Sequence, residues 1–312
     1  MQATLAASTA IVLVGLVRKP LRRAVGARAA YWLWLLVPSS VLAVVLPAPS
    51  QPVAMVIAAV PHSLNGAVGN AMLGLSAAPT SFNYLIAGLV AWLAGVGAMS
   101  AVAVRRQRNF IRSLGRVSSR ADGTYRSESG LEPMLVGLCR PRIVLPADFE
   151  ARYTPEEAAW VLAHERAHLQ RGDAVVNAIA TGALCVFWFN PLTYLAVGWL
   201  RFDQDLAADA LVLAAAGTSR RGYATALLKA QILCDSPWRL PVGCQWQSSH
   251  PLTERIATLG RPLPGLYRRC LGVSIALALV VCSVCAVWAT QPAPQPRESA
   301  SAIAAALKAH PP

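Results

Sequence analysis

The chain has 312 residues, of which 55% are hydrophobic and only 14% are charged, and its formal net charge at pH 7 is +13. Because soluble domains usually carry about 25% charged residues, this composition excludes an ordinary soluble protein. No basic stretch has a recognisable nucleic-acid-binding motif, so we expect no direct contact with nucleic acid. The positive charge instead indicates a protein held against anionic lipid.

Four apolar segments approach the length needed to cross a bilayer, at about 3–17, 30–46, 82–104 and 270–290. No Lys, Arg, Asp or Glu occurs from Ala29 to Val104. We therefore predict an N-terminal membrane region, residues 1–104, with three transmembrane helices, and a last transmembrane helix within 270–290. The predicted location is the cell (inner or cytoplasmic) membrane, which the chain crosses several times.

The basic residues predict the orientation, because an excess of Lys and Arg marks cytoplasmic loops. A basic cluster from Arg18 to Arg28 follows the first apolar segment, and we expect it to form a cytoplasmic loop against anionic lipid. Most other basic residues fall in 105–269, which we predict to be a cytoplasmic domain. Residues 47–81 and the short tail 291–312 are then extracytoplasmic.

One motif points to metal chemistry. The run His164-Glu165-Arg166-Ala167-His168 is H-E-x-x-H, and on a helix its two histidines project from one face and can share one metal ion. Glu165 lies between them and can act as general base on a metal-bound water. The alternative is a chance match on an ordinary amphipathic helix.

The ends of the motif helix are also marked in the sequence. Thr154-Pro155-Glu156-Glu157 has the pattern of a capping box with Pro at the first helical position, and Gly172 is a typical helix stop. We predict a helix of about 16 residues that begins at Pro155. Leu135–Gly137 and Arg142–Pro146 have the composition of short strands around a turn, which predicts a small α+β domain.

Residues 174–200 contain no charged side chain and are long enough to span a bilayer. A single crossing would place the basic segment that follows on the outer side, and Asn190-Pro191 interrupts the helix near its middle. We therefore predict a re-entrant or interfacial helical hairpin with both ends in the cytoplasm. A hairpin in the core of the cytoplasmic domain is the alternative.

A catalytic zinc ion needs a third protein ligand besides two histidines. Asp205 and Asp209 lie four residues apart after the hairpin, so they share one helix face. One carboxylate can bind the metal while the other accepts the N–H of a ligating histidine and orients its ring. Apolar neighbours such as Leu206 and Leu211 favour a partly buried pair over a solvated acidic face.

These motifs together resemble the BlaR/MecR-type antirepressor family of integral-membrane zinc metallopeptidases, which are gluzincins. The resemblance is strongest in the H-E-x-x-H motif, in Phe189-Asn190-Pro191-Leu192, and in the pattern Arg-x-Asp-Gln-x-Leu-Ala-x-Asp at 201–209. It implies a membrane α-helical protein with a small cytoplasmic α+β zincin-like (gluzincin) metallopeptidase domain. His250-Pro251 with Glu254-Arg255-Ile256 also resembles a late motif of such peptidases, although His250-Pro251 also fits a simple helix start.

The resemblance implies a zinc (Zn2+) cofactor, with His164, His168 and Asp205 as ligands, Glu165 as general base and Asp209 as the carboxylate that orients a histidine. The family has Glu where this chain has Asp205. The shorter side chain must bring its carboxylate closer to the metal, although Asp is an acceptable zinc ligand. Well-known members also carry an outward-facing penicillin-binding sensor after the last span. Only the short tail 291–312 follows it here and no S-x-x-K motif occurs, so we expect no sensing by acylation.

The function implied is that of a membrane-embedded zinc metalloendopeptidase that cleaves a cytoplasmic or juxtamembrane protein. The resemblance suggests a transcriptional repressor in a signalling pathway as the substrate, and it is compatible with a homodimer and with a separate sensor protein. We expect the peptide to add as an extended strand beside residues 135–145. The alternatives are a quality-control or self-processing peptidase and a catalytically weak regulatory scaffold.

Overall fold

A computed structural model describes residues 2–47, 81–129, 132–215, 217–233, 244–245 and 252–291. Nearly all of the predicted outward segment 47–81, the tail beyond Gln291 and the His250-Pro251 pair lie outside these described residues. The helices and strands that follow are therefore those of the described part of the chain.

The chain begins with helices that can enter a membrane. Helix α1 is Gln2–Val25; α2, Ala27–Trp32, continues through the 3₁₀ turn Leu33–Leu35 into α3, Leu36–Val45; and α4 is Ser81–Ser113. The predicted segments 3–17, 30–46 and 82–104 overlap these helices, and three of their six ends lie within one residue of a helix end. Helices α1 and α4 continue for several residues beyond the predicted apolar segments.

A five-stranded sheet follows α4. Its strands are β1 Val117–Ser119, β2 Tyr125–Ser127, β3 Met134–Val136, β4 Arg142–Pro146 and β5 Cys244–Gln245, arranged in the order β1-β2-β4-β3-β5. Only the β2–β4 pair is parallel. The sequence predicted β3 and β4 but not β1 and β2, which are three residues long and carry few apolar side chains.

The position of β3 contradicts the predicted mode of peptide binding. Strand β4 lies between β2 and β3, and β3 pairs on its other side with β5 through Leu135 with Cys244 and Met134 with Gln245. The sheet edges are therefore β1 and β5. Among the described strands, both β3 and β4 have a neighbour on each side, which contradicts the predicted addition of a peptide beside residues 135–145.

The helices of the second half follow in order. They are α5 Phe149–Arg152, α6 Pro155–Arg171, α7 Asp173–Val186, α8 Pro191–Ala214, α9 Arg220–Leu233, α10 Leu252–Leu259 and α11 Leu266–Ala289. Helix α11 contains the predicted last span. With α1, the α2–α3 pair and α4, it makes four described helices long and apolar enough to cross a membrane.

Helix α6 has the predicted ends. The Thr154 hydroxyl accepts from the Glu157 backbone N–H at 3.3 Å, and the Thr154 N–H donates to Glu157 Oε2 at 2.9 Å. At the other end Gly172 has φ +70°, a left-handed conformation that favours glycine. The capping box and the glycine stop are thus confirmed, and they fix where the H-E-x-x-H residues lie on the helix.

Residues 173–214 form a helical hairpin, α7 and α8, around a turn at Asn190. The Asn190 amide donates to the Ser8 hydroxyl of α1 at 2.9 Å, and its side-chain oxygen accepts from the Leu192 N–H at 3.1 Å. The indole rings of Trp199 and Trp188 cover Gly15 of α1 and Gly95 of α4. The hairpin therefore packs between α1 and α4.

The described residues contain two main apolar cores. The first joins the sheet to α6, α9 and the end of α8 through side chains such as Leu135, Ile143, Val161 and Tyr223. The second joins α1, α2 and α3 to the first half of α8, and includes Ile11, Val14, Leu33, Ala196 and Leu200. Helix α8 thus belongs to both cores and connects them.

Two arginines of the basic cluster have a different role from the one predicted. Arg18 and Arg22 are buried near the end of α1, and both donate to Asp203 of α8, at 3.3 and 3.2 Å from Oδ1. The Trp34 indole donates to the other Asp203 oxygen at 2.9 Å, and Arg22 also pairs with Glu254 of α10. A buried carboxylate needs such partners, so these two arginines join elements instead of contacting lipid.

Candidate metal site

The H-E-x-x-H side chains lie in the interior, between α6 and the helices around it. His164, Glu165 and His168 have no exposed surface. The Nε2 atoms of the two histidines face each other at 3.0 Å. The i and i+4 positions on α6 thus bring two potential ligand atoms to one point.

Helix α8 brings a third ligand atom to this point. Asp205 Oδ1 lies 3.7 Å from His168 Nε2, and the ligand atoms of His164, His168 and Asp205 all lie within 4.8 Å of one another. Two ligands at about 2 Å from a tetrahedral ion are about 3.3 Å apart, which falls between the two measured separations. The shorter side chain of Asp205 therefore reaches the site, because α8 packs close to α6.

Each histidine has an acidic partner on its other ring nitrogen. His168 Nδ1 lies 2.6 Å from Asp173 Oδ2, an oxygen that also accepts from Arg171 Nε at 3.1 Å. Asp173 is the first residue of α7, immediately after Gly172. The turn that ends α6 thus places a carboxylate where it orients the ring of His168.

His164 has a more extensive set of partners. Its Nδ1 lies 3.1 Å from Asp209 Oδ1 and 3.1 Å from the Tyr223 hydroxyl, which itself donates to Asp209 at 2.7 Å. Arg255 of α10 donates to both oxygens of Asp209. Burial raises the pKa of Asp209, but the charge of Arg255 outweighs this and holds the pKa well below its usual range. Asp209 is therefore an anionic acceptor for His164.

The two Nδ1 contacts determine which ring nitrogens carry hydrogen. With Nδ1–H donating to a carboxylate, each Nε2 presents a lone pair toward the other and toward Asp205. Burial lowers the pKa of His164 to about 3, in spite of the opposing effect of Asp209, so this ring stays neutral at pH 7. Three lone-pair donors in a buried space repel one another unless a cation lies between them. Two imidazoles and one carboxylate fit zinc.

Glu165 has the environment of a proton acceptor in such a site. Neither of its carboxylate oxygens has a hydrogen-bond partner within the described part of the chain, although both are buried. Burial raises the pKa of Glu165 well above its usual range, and the nearby carboxylates of Asp205 and Glu132 add to the rise. Such unpaired buried oxygens are rare, and a water molecule bound in the site is the natural partner.

The structure thus brings together all five residues that the sequence singled out. Sequence reasoning missed three others, namely Asp173, Tyr223 and Arg255. A signal was present for Asp173, which lies just past the helix stop, and Arg255 belongs to the late motif quoted above without a role. Tyr223 had none, because it lies 59 residues from His164 in the chain.

Comparison with known proteins shows the family to which the chain belongs. A family model described as BlaR1 peptidase M56 matches residues 1–259. The regulatory protein BlaR1 of Bacillus licheniformis is 32% identical over 81 residues, which are 26% of this chain and 13% of that relative. The methicillin resistance mecR1 protein of Staphylococcus aureus is 28% identical over 102 residues, which are 32% of this chain and 17% of that relative.

The aligned regions are therefore less than a fifth of the curated relatives' own length. The family model, in contrast, runs from the first membrane helix through α10. The resemblance drawn from the motifs is confirmed, and the chain belongs to the BlaR1 peptidase M56 family.

Proposed function

We propose that this protein is a zinc metalloendopeptidase whose site lies at the cytoplasmic face of the membrane. The observation that carries the proposal is the convergence of His164, His168 and Asp205, with ligand atoms within 4.8 Å of one another, beside the unpaired carboxylate of Glu165. A site for structural zinc would be closed by a fourth protein ligand. Here the carboxylate beside the three candidate ligands is that of Glu165, which is placed to act as a base.

The chain's own residues supply the acid–base chemistry. Zinc, when bound, supplies a Lewis acid that polarises the scissile carbonyl and acidifies water. Glu165 takes the proton of the attacking water on a carboxylate oxygen and later gives it to the nitrogen of the leaving amine. Its raised pKa suits a group that must hold that proton between the two steps. Asp173 and Asp209 keep both histidine rings oriented throughout.

The hairpin supports a membrane-embedded form of this peptidase. Its turn contacts Ser8, ten residues before Arg18 on α1, and this corresponds to about 15 Å along a helix. The turn is therefore at the depth of the apolar half of α1, with Ala196 and Leu200 in the core of the membrane helices. This packing favours entry of α7 and the first half of α8 into the bilayer, with the catalytic domain on the cytoplasmic side.

The substrate we propose is a cytoplasmic or juxtamembrane protein. One similar protein is named as a regulatory protein and another as a methicillin resistance protein, which favours a transcriptional repressor in a signalling pathway over a broad set of damaged membrane proteins. The complete burial of Glu165 and both histidines also fits regulated cleavage. A peptide reaches them only after the surrounding elements separate.

Mapping of new protein N-termini tests the proposal. We expect cells that produce the wild-type chain to contain cleavage products that are absent with Glu165→Gln, since loss of a general base slows the reaction by about 10²–10⁴-fold. One dominant product indicates a dedicated substrate, whereas many indicate quality control. Identical sets of N-termini in the two strains would show that the chain is not a peptidase.

Zinc content separates the peptidase from the regulatory scaffold. Purified wild-type chain should contain about one zinc ion, as a His–His–Asp site requires. Asp205→Ala should contain much less, while Glu156→Ala, an exposed residue on the first turn of α6, should match the wild type. A zinc content well below one ion per wild-type chain would favour the regulatory scaffold.

A further inference from the structure

The second predicted membrane segment contacts a carboxylate that supports the candidate metal site. Tyr31 lies near the end of α2, and its hydroxyl donates to Asp173 Oδ1 at 2.8 Å. The other oxygen of that carboxylate, Oδ2, accepts from His168 Nδ1 at 2.6 Å. One carboxylate therefore connects a residue of a predicted transmembrane helix with a candidate zinc ligand.

A second contact joins Tyr31 to the neighbourhood of the third ligand. The guanidinium of Arg171 lies over the Tyr31 ring, 5.2 Å from its centroid. The same guanidinium donates to the backbone carbonyl of Gln204 at 2.8 Å, and Gln204 immediately precedes Asp205. Tyr31 is thus in contact with the residues that hold both His168 and the α8 segment that carries Asp205.

The hydrogen bonds from Tyr31 to Oδ1 and from His168 to Oδ2 together fix the orientation of the Asp173 carboxylate. A carboxylate held at one oxygen can rotate about its Cβ–Cγ bond, whereas donors at both oxygens fix its plane. The plane of Asp173 in turn sets the direction in which His168 Nδ1–H points, and hence the direction of the Nε2 lone pair. Loss of the Tyr31 hydroxyl removes one of the donors and leaves the ring of Tyr31 in place.

We propose that Tyr31 is a positioning residue for the metal site and acts on His168 through Asp173. The proposal rests on the metal site of the proposed function and deepens it. Helix α2 then helps to hold the metal ligands in place. The geometry around the metal depends on the position of α2, which belongs to the second predicted membrane segment.

Co2+ binding to the metal-free full chain in detergent micelles tests this. Co2+ occupies tetrahedral zinc sites, and its visible absorption reports ligand geometry, so the readout needs no substrate. We expect Tyr31→Phe to weaken Co2+ affinity by roughly threefold to tenfold, less than the 10–100-fold typical when the direct partner of a ligating histidine is lost. Asp173→Asn should show that larger loss.

The control is Tyr194→Phe, which removes a hydroxyl that donates to the Trp188 carbonyl on the hairpin at 2.9 Å, away from the site. It should bind Co2+ like the wild type. Tyr31→Phe should also have a changed absorption spectrum when saturated with Co2+. This comparison does not depend on how much of the sample is folded, because only chain with a formed site absorbs.

The outcomes separate the two proposals. Wild-type affinity and spectrum in Tyr31→Phe, together with a loss in Asp173→Asn, would show that Tyr31 only packs there, and the metal site would stand. Equal losses in Tyr31→Phe and Tyr194→Phe would show a general effect on the membrane helices, which also overturns the role of Tyr31. A wild-type chain that binds no Co2+ overturns the metal site, and the assignment of Tyr31 with it.

Discussion

Arg255 binds Asp209 at both carboxylate oxygens, with Nε 2.9 Å from Oδ2 and Nη2 2.7 Å from Oδ1. Both side chains are almost completely buried. Because Asp209 also lies 3.1 Å from His164 Nδ1, this ion pair connects α10 to a candidate metal ligand on α6. An arginine fits this role because its planar guanidinium matches a carboxylate at two points.

Arg255→Gln should therefore weaken zinc binding by roughly 10–100-fold, because Asp209 loses the partner that keeps it oriented toward His164. It should also destabilise the fold by about 3–5 kcal/mol, since a buried carboxylate is left without its counter-charge. Arg255→Lys should restore little of the zinc affinity or the fold stability, because an ammonium cannot bind both oxygens of Asp209 in the same way. Chelator competition and thermal unfolding measure the two effects.

The matched control is Arg220→Gln. Arg220 also contacts the end of α10, through the Leu259 carbonyl at 3.0 Å, but its partners are backbone oxygens away from the site. Its zinc affinity should equal that of the wild type. If Arg255→Gln also binds zinc normally, Asp209 is held by other contacts and the role given to Arg255 is wrong.

Packing of the hairpin against α4 should be sensitive to one glycine. A Cβ at Gly95 would overlap the Trp188 indole, whereas a Cβ at Gly97 of the same helix would meet no atom within 4 Å. Gly95→Ala should destabilise the protein by about 1–3 kcal/mol, the usual effect of overpacking. Gly97→Ala should stay within about 1 kcal/mol of the wild type.

Thermal unfolding of the two variants in the same detergent gives the comparison. A larger loss for Gly97→Ala than for Gly95→Ala would mean that Trp188 does not sit against α4. The site itself is distant from this contact, so both variants should keep the zinc content of the wild type.

The buried contacts of the Glu157 carboxylate should make the stability of the fold fall in acid. Burial raises the pKa of Glu157. The Lys229 ammonium at 2.8 Å and the Thr154 N–H lower this pKa by more than burial raises it, so the net pKa is below its ordinary value of 4.5. The folded state thus binds the proton less tightly than the unfolded state. The stabilisation is present above pH 4.5 and is lost as the pH falls through the lowered value.

The measurement is the difference in unfolding temperature between wild type and Glu157→Gln. This difference should be largest well above pH 4.5 and should become smaller as the pH falls below 4.5. Glu156→Gln, on the same turn, should show no such decrease. A difference that persists unchanged in acid would mean that the Glu157 carboxylate does not carry the effect.

The proposed topology predicts where thiols react with a membrane-impermeant maleimide. In a chain with Cys139 as its one remaining cysteine, the exposed thiol in the turn between β3 and β4 should react in permeabilised cells and not in intact cells. A single cysteine at Phe189→Cys, in the turn of the hairpin, should react in neither, since a thiol in the bilayer core is not ionised.

Reaction of Phe189→Cys from the cytoplasmic side would support the other prediction, a hairpin inside the cytoplasmic domain, because Phe189 is 47% exposed and would then face water. Reaction of Cys139 in intact cells would reverse the orientation inferred from the basic residues.

The sequence by itself determined the features that depend on neighbours along the chain. The capping box at Thr154, the glycine stop at Gly172 and the i, i+4 spacing of His164 and His168 act within one helix, so they could be predicted from residue order. The apolar segments could be predicted for the same reason, since length and hydropathy alone decide whether a helix can span a bilayer.

Only the tertiary structure decided which side chains meet across the chain. Tyr223 gave no pattern of its own, and Arg18 and Arg22 looked like a charged loop until α8 brought Asp203 against them. The pairing of β3 with β5 could not be predicted either, because β5 has only two residues and so shows no alternation of apolar and polar side chains. Residue order placed the candidate ligands His164 and His168 on one helix face, whereas long-range packing brought two aspartates of α8, Arg255 and the tyrosines to them.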